Sequence, residues 1–126
     1  MRQIILDTNF LLIPSQFSVD IFSEIRRICN FSYRIYVVDK TIDELERLGM
    51  GKSRDARGAK LGLELMKAKK VGVIKTDRKG YVDDLIVSIV KRGDVVATQD
   101  IGLKRRVKKK GARIITMRQK KRLVLI

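Results

Sequence analysis

Four acidic residues stand at positions where a folded sheet could bring them together: Asp7, Glu44, Asp83 and Asp100. Asp7 directly follows the first apolar run of the chain, and the other three occur where later strands should end or helices begin. Side chains at the carboxyl ends of parallel strands converge at one edge of a sheet, where α/β proteins bind their ligands. Because carboxylate oxygens suit hard cations, the spacing predicts a site for Mg²⁺ or Mn²⁺ at this edge.

The composition excludes most other kinds of catalytic site. The chain has no His and a single Cys, Cys29. Without His there is no imidazole base, no Ser–His or Cys–His nucleophile and no zinc site of the usual His/Cys type. Water activated by a carboxylate-bound divalent ion is the mechanism that remains. A lone Cys favours a reducing compartment, and no apolar run approaches the ~20 residues of a membrane span, so we expect a cytoplasmic protein without a membrane partner.

Alternating elements predict the sheet that would position these acids. Apolar, β-branched runs typical of strands covered on both faces occupy residues 3–6, 35–38, 71–74, 95–98 and 113–117. Helical patterns lie at residues 19–28, 41–48, 53–69, 83–92 and 101–110. Strands that alternate with helices indicate βαβ units. We therefore predict an α/β fold: a single domain, residues 1–126, with a doubly wound, mainly parallel sheet of about five strands and helices on both faces.

Each acid also has a purely structural explanation. An Asp at a helix start accepts backbone N–H bonds and favours the positive end of the helix dipole, so Asp7, Asp83 and Asp100 suit helix caps. Thr41 and Glu44 have the spacing of a capping box. Capping is the commoner role for any one of these residues, but the occurrence of all four together favours the metal site.

Helical phase separates neighbouring acids. Around the predicted helix 41–48, Glu44 lies at the margin of the apolar face, while the other acids of that helix lie on the far side. Asp83 shares the arc of its helix's apolar residues, whereas Asp84 lies on the polar side, as a cap or an outer partner. Asp100 aligns with the apolar residues of the last helix. Phase thus turns Glu44, Asp83 and Asp100 toward the sheet.

Neutral residues beside the acids could hold the carboxylates and bound waters in place. The predicted supporting residues are Thr8, Asn9, Thr98 and, as an outer acid, Asp84. Gln99 stands among them, and for this residue we favour turn formation.

The net charge of +15 is concentrated at one end of the chain. Residues 101–126 contain eleven Lys and Arg and no acid. Such asymmetry indicates a polyanionic partner, of which nucleic acid is the usual one, although a solvated basic face explains the run equally well. The residues predicted to hold an RNA backbone are Lys52, Arg54, Arg57, Lys104, Arg105, Lys108 and Lys109.

These motifs resemble the PIN-domain family of metal-dependent ribonucleases. Residues 4–12 resemble that family's opening strand, with its acid followed by Thr-Asn, and Glu44, Asp83 and Asp100 occur in the order of its further acids. The resemblance covers nearly the whole chain. It implies a PIN-like three-layer sandwich, Mg²⁺ or Mn²⁺ held by Asp7, Asp83 and Asp100 with help from Glu44, and hydrolysis that leaves 5′-phosphate and 3′-hydroxyl ends.

Residues 81–84 and 100–106 resemble the branch of that family that processes small-subunit ribosomal RNA precursors, and its archaeal relatives. We therefore expect a metal-dependent endoribonuclease that cuts single-stranded or loop RNA in rRNA maturation. Two alternatives stay open: a toxin ribonuclease paired with an antitoxin, and a non-cleaving RNA-binding assembly factor. A binder of a polyanion gains nothing from clustered acids, which argues against the latter. The oligomeric state, a homodimer included, is left open.

Overall fold

A computed structural model describes all 126 residues of the chain. The six strands are β1 (Arg2–Leu6), β2 (Tyr33–Val38), β3 (Gly72–Ile74), β4 (Val95–Ala97), β5 (Arg113–Arg118) and β6 (Arg122–Leu125). The six α-helices are α1 (Ile13–Phe17), α2 (Ile21–Ile28), α3 (Asp39–Leu48), α4 (Arg54–Ala68), α5 (Val82–Ile89) and α6 (Ile101–Lys109). A 3-10 turn, Thr8–Leu12, joins β1 to α1. None of the helices is both long and apolar enough to cross a membrane.

The strands form one sheet in the order β3-β2-β1-β4-β5-β6. The first five strands are parallel, and only β6 pairs antiparallel, with β5. The chain builds outward from β1 in one direction through β2 and β3, and then resumes on the other side of β1 with β4. The reversal between β1 and β4 is the kind of switch point at which doubly wound sheets bind ligands. The predicted α/β class is confirmed.

Two apolar cores cover the two faces of the sheet, because successive residues of a strand point to opposite sides. Ile4 and Leu6 of β1 belong to the larger core, which the 3-10 turn and helices α1 to α4 cover. Ile5, between them, belongs to the smaller core beneath α5 and α6. The strands are therefore buried on both sides, which explains why they appear in the sequence as continuous apolar runs.

Four elements differ from the sequence-based prediction. Strand β6 was not predicted, because its four residues follow a run of basic residues and its apolar pattern is short. The 3-10 turn and α1 were likewise missed. Helix α5 ends at Ile89, three residues before the predicted end, because Val90 adopts an extended conformation and Asp94 accepts the amide of Lys91 at 2.9 Å in a tight turn.

The outer edge of β6 is covered by two side chains of α2. The amide of Leu123 donates to Glu24 Oε1 at 2.9 Å, and its carbonyl accepts from Arg27 at 3.1 Å. Glu24 and Arg27 also pair with each other at 2.9 Å. The last strand is thus attached to the second helix, and the antiparallel hairpin closes that edge of the sheet.

Candidate active site

The four predicted acids line one cavity of about 310 Å³ at the carboxyl ends of the strands. Asp7 directly follows β1 and Asp100 precedes α6, so these two lie on either side of the switch point. Glu44 reaches the cavity from α3, and Asp83 from the first turn of α5. The remaining lining residues are Thr8, Asn9, Tyr81 and Val82. The structure therefore brings all four acids to the edge of the sheet that is formed by the carboxyl ends of the strands.

Asp7 is the most deeply placed of the four acids, with 7% of its surface exposed. Its Oδ1 accepts the amide of Thr8 at 2.9 Å, and its Oδ2 accepts the hydroxyl of Thr98 at 2.8 Å. Burial raises the pKa of Asp7; the two hydrogen bonds oppose this shift, and the charges of Asp100 and Glu44 add to it. The net shift of the pKa is upward, so the charged form of Asp7 is disfavoured when no cation is nearby.

Thr98 connects Asp7 with Asp100. While its hydroxyl donates to Asp7, the same oxygen accepts the amide of Asp100 at 3.0 Å. Asp100 in turn caps α6 by accepting the amide of Leu103 at 2.9 Å. Asp100 is thus a helix cap and a lining residue of the cavity at once, so the two interpretations of this acid are compatible.

Glu44 is held by Thr8 and takes no part in a capping box. The capping-box interpretation is wrong, because α3 begins at Asp39 and Thr41 lies buried inside the helix. The Thr8 hydroxyl donates to Glu44 Oε1 at 2.7 Å and lies 3.1 Å from the Thr41 hydroxyl. Thr8 therefore donates its amide to Asp7 and its hydroxyl to Glu44, so it contacts two of the four acids.

Asp83 and Asp84 occupy different environments, as helical phase predicted. Asp83 lines the cavity, whereas Asp84 points to Arg106 of α6, 2.8 Å from Nη1. The same guanidinium nitrogen lies 3.7 Å from Asp83 Oδ2. Arg106 was not among the predicted site residues, and the 22 positions that separate it from Asp84 leave no sequence signal. It holds the outer acid and leaves Asp83 facing the cavity.

A second buried acid, Asp39, supports the site from outside it and was not among the predicted site residues. Asp39 follows β2 directly, as Asp7 follows β1, and this shared strand-end position is the signal that could have identified it. Its carboxylate accepts the amide of Thr76 at 2.9 Å and the hydroxyl of Thr76 at 2.6 Å. Arg78 lies 3.3 Å away. These contacts fix the loop that leads from β3 to Tyr81 and Asp83.

The predicted supporting and RNA-binding residues are placed as follows. Asn9 is exposed and lines the cavity. Gln99 accepts the hydroxyl of Thr116 and the amide of Met117, each at 2.6 Å, in agreement with the structural interpretation. None of the predicted RNA-binding residues lines the cavity. Lys104 is half-buried, and the others are exposed: Lys52, Arg54, Arg57, Arg105, Lys108 and Lys109.

The donor set of the cavity suits a hard divalent cation. All four acids offer carboxylate oxygens, and only Asp83 has a Lys or Arg within 4.0 Å. No three acidic or Cys side chains are arranged to hold one ion as they stand. Sharing an ion among these acids therefore requires side-chain rotation, which the long Glu44 and the half-exposed Asp83 can make.

Three comparisons with known proteins bear on the fold described above. A family model described as a PIN like domain matches residues 4–120. Ribonuclease VapC4 of Methanocaldococcus jannaschii is 34% identical over 125 residues, which cover 96% of this chain and 94% of that protein. The solved structure of the PIN domain endonuclease Utp24 superimposes with a TM-score of 0.79 at 26% identity, over 98% of this chain and 90% of that one.

Proposed function

This chain belongs to the PIN-like domain family, and from that premise we propose that it is a divalent-metal-dependent endoribonuclease. The observation that carries the proposal is that three of the cavity's four acids lack a cationic partner. In a chain with 29 Lys and Arg against 14 Asp and Glu, the cavity acids Asp7, Glu44 and Asp100 have no cationic partner. Carboxylates left unpaired among so many available cations fit a site that recruits its positive charge from solution.

Mg²⁺ or Mn²⁺ fits this donor set best, with Asp7, Asp83 and Asp100 as ligands and Glu44 as a further or water-mediated ligand. When bound, such an ion lowers the pKa of water and polarises a phosphodiester. Thr8 and Thr98 keep the carboxylates of Asp7 and Glu44 oriented through the hydrogen bonds described above. No side-chain nucleophile is needed, in keeping with the absence of His.

Single-stranded or loop RNA is the proposed substrate. Tyr81 lines the cavity beside Asp83, and 74% of its surface is exposed. An exposed aromatic ring at the rim of a phosphodiester-cleaving site can stack an unpaired base, an interaction worth about 1–3 kcal/mol per base. A base inside a duplex would first have to be unpaired. Phe10, by contrast, is fully buried and serves the core.

Maturation of ribosomal RNA is the role that we assign to this activity, on the strength of the motifs at residues 81–84 and 100–106. A toxin ribonuclease is the second candidate, since the relative at 34% identity is itself a ribonuclease and either role would use the same acids. The gene neighbourhood separates the two: a small antitoxin gene next to this one would favour the toxin, and ribosome or translation genes would favour maturation.

One assay tests the activity and its substrate class together. The same RNA sequence is presented as a free strand, as a hairpin loop and as a perfect duplex, each with Mg²⁺, Mn²⁺ or EDTA. We expect cleavage of the strand and the loop with either metal and none in EDTA. Cleavage that persists in EDTA, or that favours the duplex, would contradict the proposal.

A further inference from the structure

A second concave surface lies on the same chain, far from the acids. It is a cavity of about 280 Å³ between α2, β2 and the end of α4, which we name the rear basic pocket. Its charged lining consists of Arg26, Arg34, Lys69 and Lys70, and no acidic residue contributes to it. Phe22 and Tyr33 supply apolar wall. Tyr33 and Ile35 pack against the core on the α2 side of the sheet, so the side chain of Arg34, which lies between them, points to the opposite face. The remaining three cations converge on the cavity without a carboxylate and form an anion site by composition.

The rear basic pocket lies at the opposite end of the sheet from the candidate active site. Tyr33 and Arg34 begin β2, and Lys70 precedes β3. The two strands pair in parallel with Tyr36 beside Gly72, so Arg34 and Lys70 lie at the same level. The acids lie beyond the other end of these strands. A strand of six residues spans about 20 Å, which places the pocket well outside the reach of the cleaved phosphodiester itself.

Arg26, Lys69 and Lys70, the three cations that face the pocket, keep their charge available for a ligand. None of them has an acid within 4.0 Å. Asp20, the acid whose charge couples to Lys69, is already engaged as the cap of α2 through Ser23. Arg34 instead lies over the ring of Tyr36, 5.4 Å from its centroid, on the other face of the sheet.

Helix α4 connects the two ends of the sheet. Its first half packs on the turn that follows Asp7, since Gly58 approaches Leu12 and Gly62 approaches Leu11. Its fifteen residues extend about 22 Å toward the rear basic pocket. At 100° per residue, one face carries Arg54 and Arg57 in the first turn of the helix, then Leu61 and Leu65, and Lys69 at the pocket. A polyanion leaving the site along this face meets cations at both ends.

We propose that the rear basic pocket binds a phosphodiester group of the RNA substrate, several nucleotides away from the cleaved bond, with the strand lying along α4. This inference rests on the proposed ribonuclease function. Arginine guanidinium groups contact phosphate with paired N–H donors, and lysines act as point charges, so the lining matches a phosphodiester. A volume just under the range of about 300–1,000 Å³ typical of small-molecule sites suits a phosphate with its sugar better than a larger cofactor.

The test compares two triple variants that remove equal charge. The pocket variant is Arg26→Gln, Lys69→Gln and Lys70→Gln. The control variant is Arg47→Gln, Lys120→Gln and Lys121→Gln, at exposed sites outside both cavities. Labelled single strands of about 4 and about 16 nucleotides bracket the usual site sizes. Affinity is measured by fluorescence anisotropy in EDTA, and cleavage by kcat and KM with Mn²⁺. Circular dichroism verifies that each variant is folded.

For the longer strand, the pocket variant should lose about tenfold or more in affinity, raise KM and leave kcat unchanged. The salt slope should fall by about 0.7 for each phosphate that the variant no longer neutralises. Cleavage of the short strand, which cannot reach both ends of α4, should be unaffected, and the control variant should resemble the wild type.

Equal losses in the pocket and control variants would reduce the effect to net charge and overturn the inference. A pocket variant that binds and cleaves the long strand like the wild type would also overturn it, while leaving the proposed function intact. Calorimetric binding of inorganic phosphate that is abolished in the pocket variant, without loss of RNA affinity, would assign the pocket to a free anion and likewise overturn RNA docking. A wild type that neither binds nor cleaves RNA would instead refute the proposed function, and this inference with it.

Discussion

The hydroxyl of Thr98 donates a 2.8 Å hydrogen bond to the carboxylate of Asp7. The two residues are 91 positions apart and meet because β1 and β4 are neighbours across the switch point of the sheet. The same hydroxyl oxygen accepts the amide of Asp100. One neutral side chain thereby fixes the relative positions of two acids that repel each other. A cationic side chain in its place would neutralise one of the two acids.

Thr98→Val should therefore lower activity more than stability. The substitution keeps the shape of the side chain but leaves a carboxylate oxygen and an amide without their partner, at a cost of about 1–3 kcal/mol. Loss of a hydrogen bond that orients a metal ligand typically costs about 10–100-fold in metal affinity or activity. Initial cleavage rates over a Mn²⁺ titration measure this, with Thr98→Ser as the control that restores the donor. A Ser variant as inactive as the Val variant would contradict the positioning role.

Asp7→Asn should abolish cleavage and leave the fold intact or more stable. The pKa of Asp7 is raised above its ordinary 3.8 by burial, so ionisation of this carboxyl destabilises the metal-free protein as pH rises through that raised value. Removing the charge should add up to about 2 kcal/mol near neutral pH, and this gain should disappear in acid, where Asp7 is protonated anyway. Melting temperatures in EDTA across pH provide the measurement. A variant that loses activity and melting temperature together would support a purely capping role.

Asp83→Asn should reduce cleavage far more than Asp84→Asn. Asp83 faces the cavity, while Asp84 is 53% exposed and pairs with Arg106. An exposed ion pair contributes only about 0–1 kcal/mol, so Asp84→Asn should also leave the melting temperature nearly unchanged. The pair of variants serves as its own control, since each removes one carboxylate from the same helical turn. Comparable losses, or the reverse order, would refute the assignment made from helical phase.

Neutralising Lys104, Lys108 and Lys109 of α6 together should weaken RNA binding to a similar extent for different sequences. Phosphate-binding cations carry affinity without sequence information, and the removal of each one that binds a single strand should flatten the salt slope by about 0.7. Binding isotherms at several salt concentrations test this, with the Arg47, Lys120 and Lys121 triple variant as the equal-charge control. An unchanged slope would assign this face of α6 to solubility alone.

Asp39→Asn should destabilise the protein in a pH-dependent way. Burial opposes ionisation of Asp39, but the hydrogen bonds from Thr76 and the Lys40 amide outweigh it, so its pKa lies below the ordinary 3.8. A lowered folded-state pKa gives stability that is present above pH 3.8 and lost as pH falls through the lowered value. The variant should cost about 1–3 kcal/mol near neutral pH and progressively less in acid. Urea unfolding at several pH values measures the difference, and Asp43→Asn, whose carboxylate contacts only Arg78, is the control. A cost that does not vary with pH would contradict the charge-based explanation.

The sequence was sufficient for the features that depend on local pattern. Apolar runs identified five of the six strands, and Asp7 could be placed because it follows one of them directly. Helical phase distinguished Asp83 from Asp84, since only the residues of a single helix enter that argument. These predictions needed no knowledge of which strand lies beside which.

The remaining features depend on contacts between distant parts of the chain. Asp39 binds Thr76 across 37 positions, and Arg106 reaches Asp84 across 22. Neither residue type is unusual in its own segment, so nothing marks the pairing until the sheet order is known. The rear basic pocket is a further case, because α2 and the end of α4 contribute its three converging cations from separate parts of the sequence.

Glu24 and Arg27 also affect how one molecule can associate with another. Their side chains occupy the outward amide and carbonyl of Leu123. Those backbone groups are the ones that a strand from another molecule would need, so β6 cannot readily extend the sheet. At the opposite edge, β3 is only three residues long. Pairing of two copies through either edge of the sheet is therefore disfavoured.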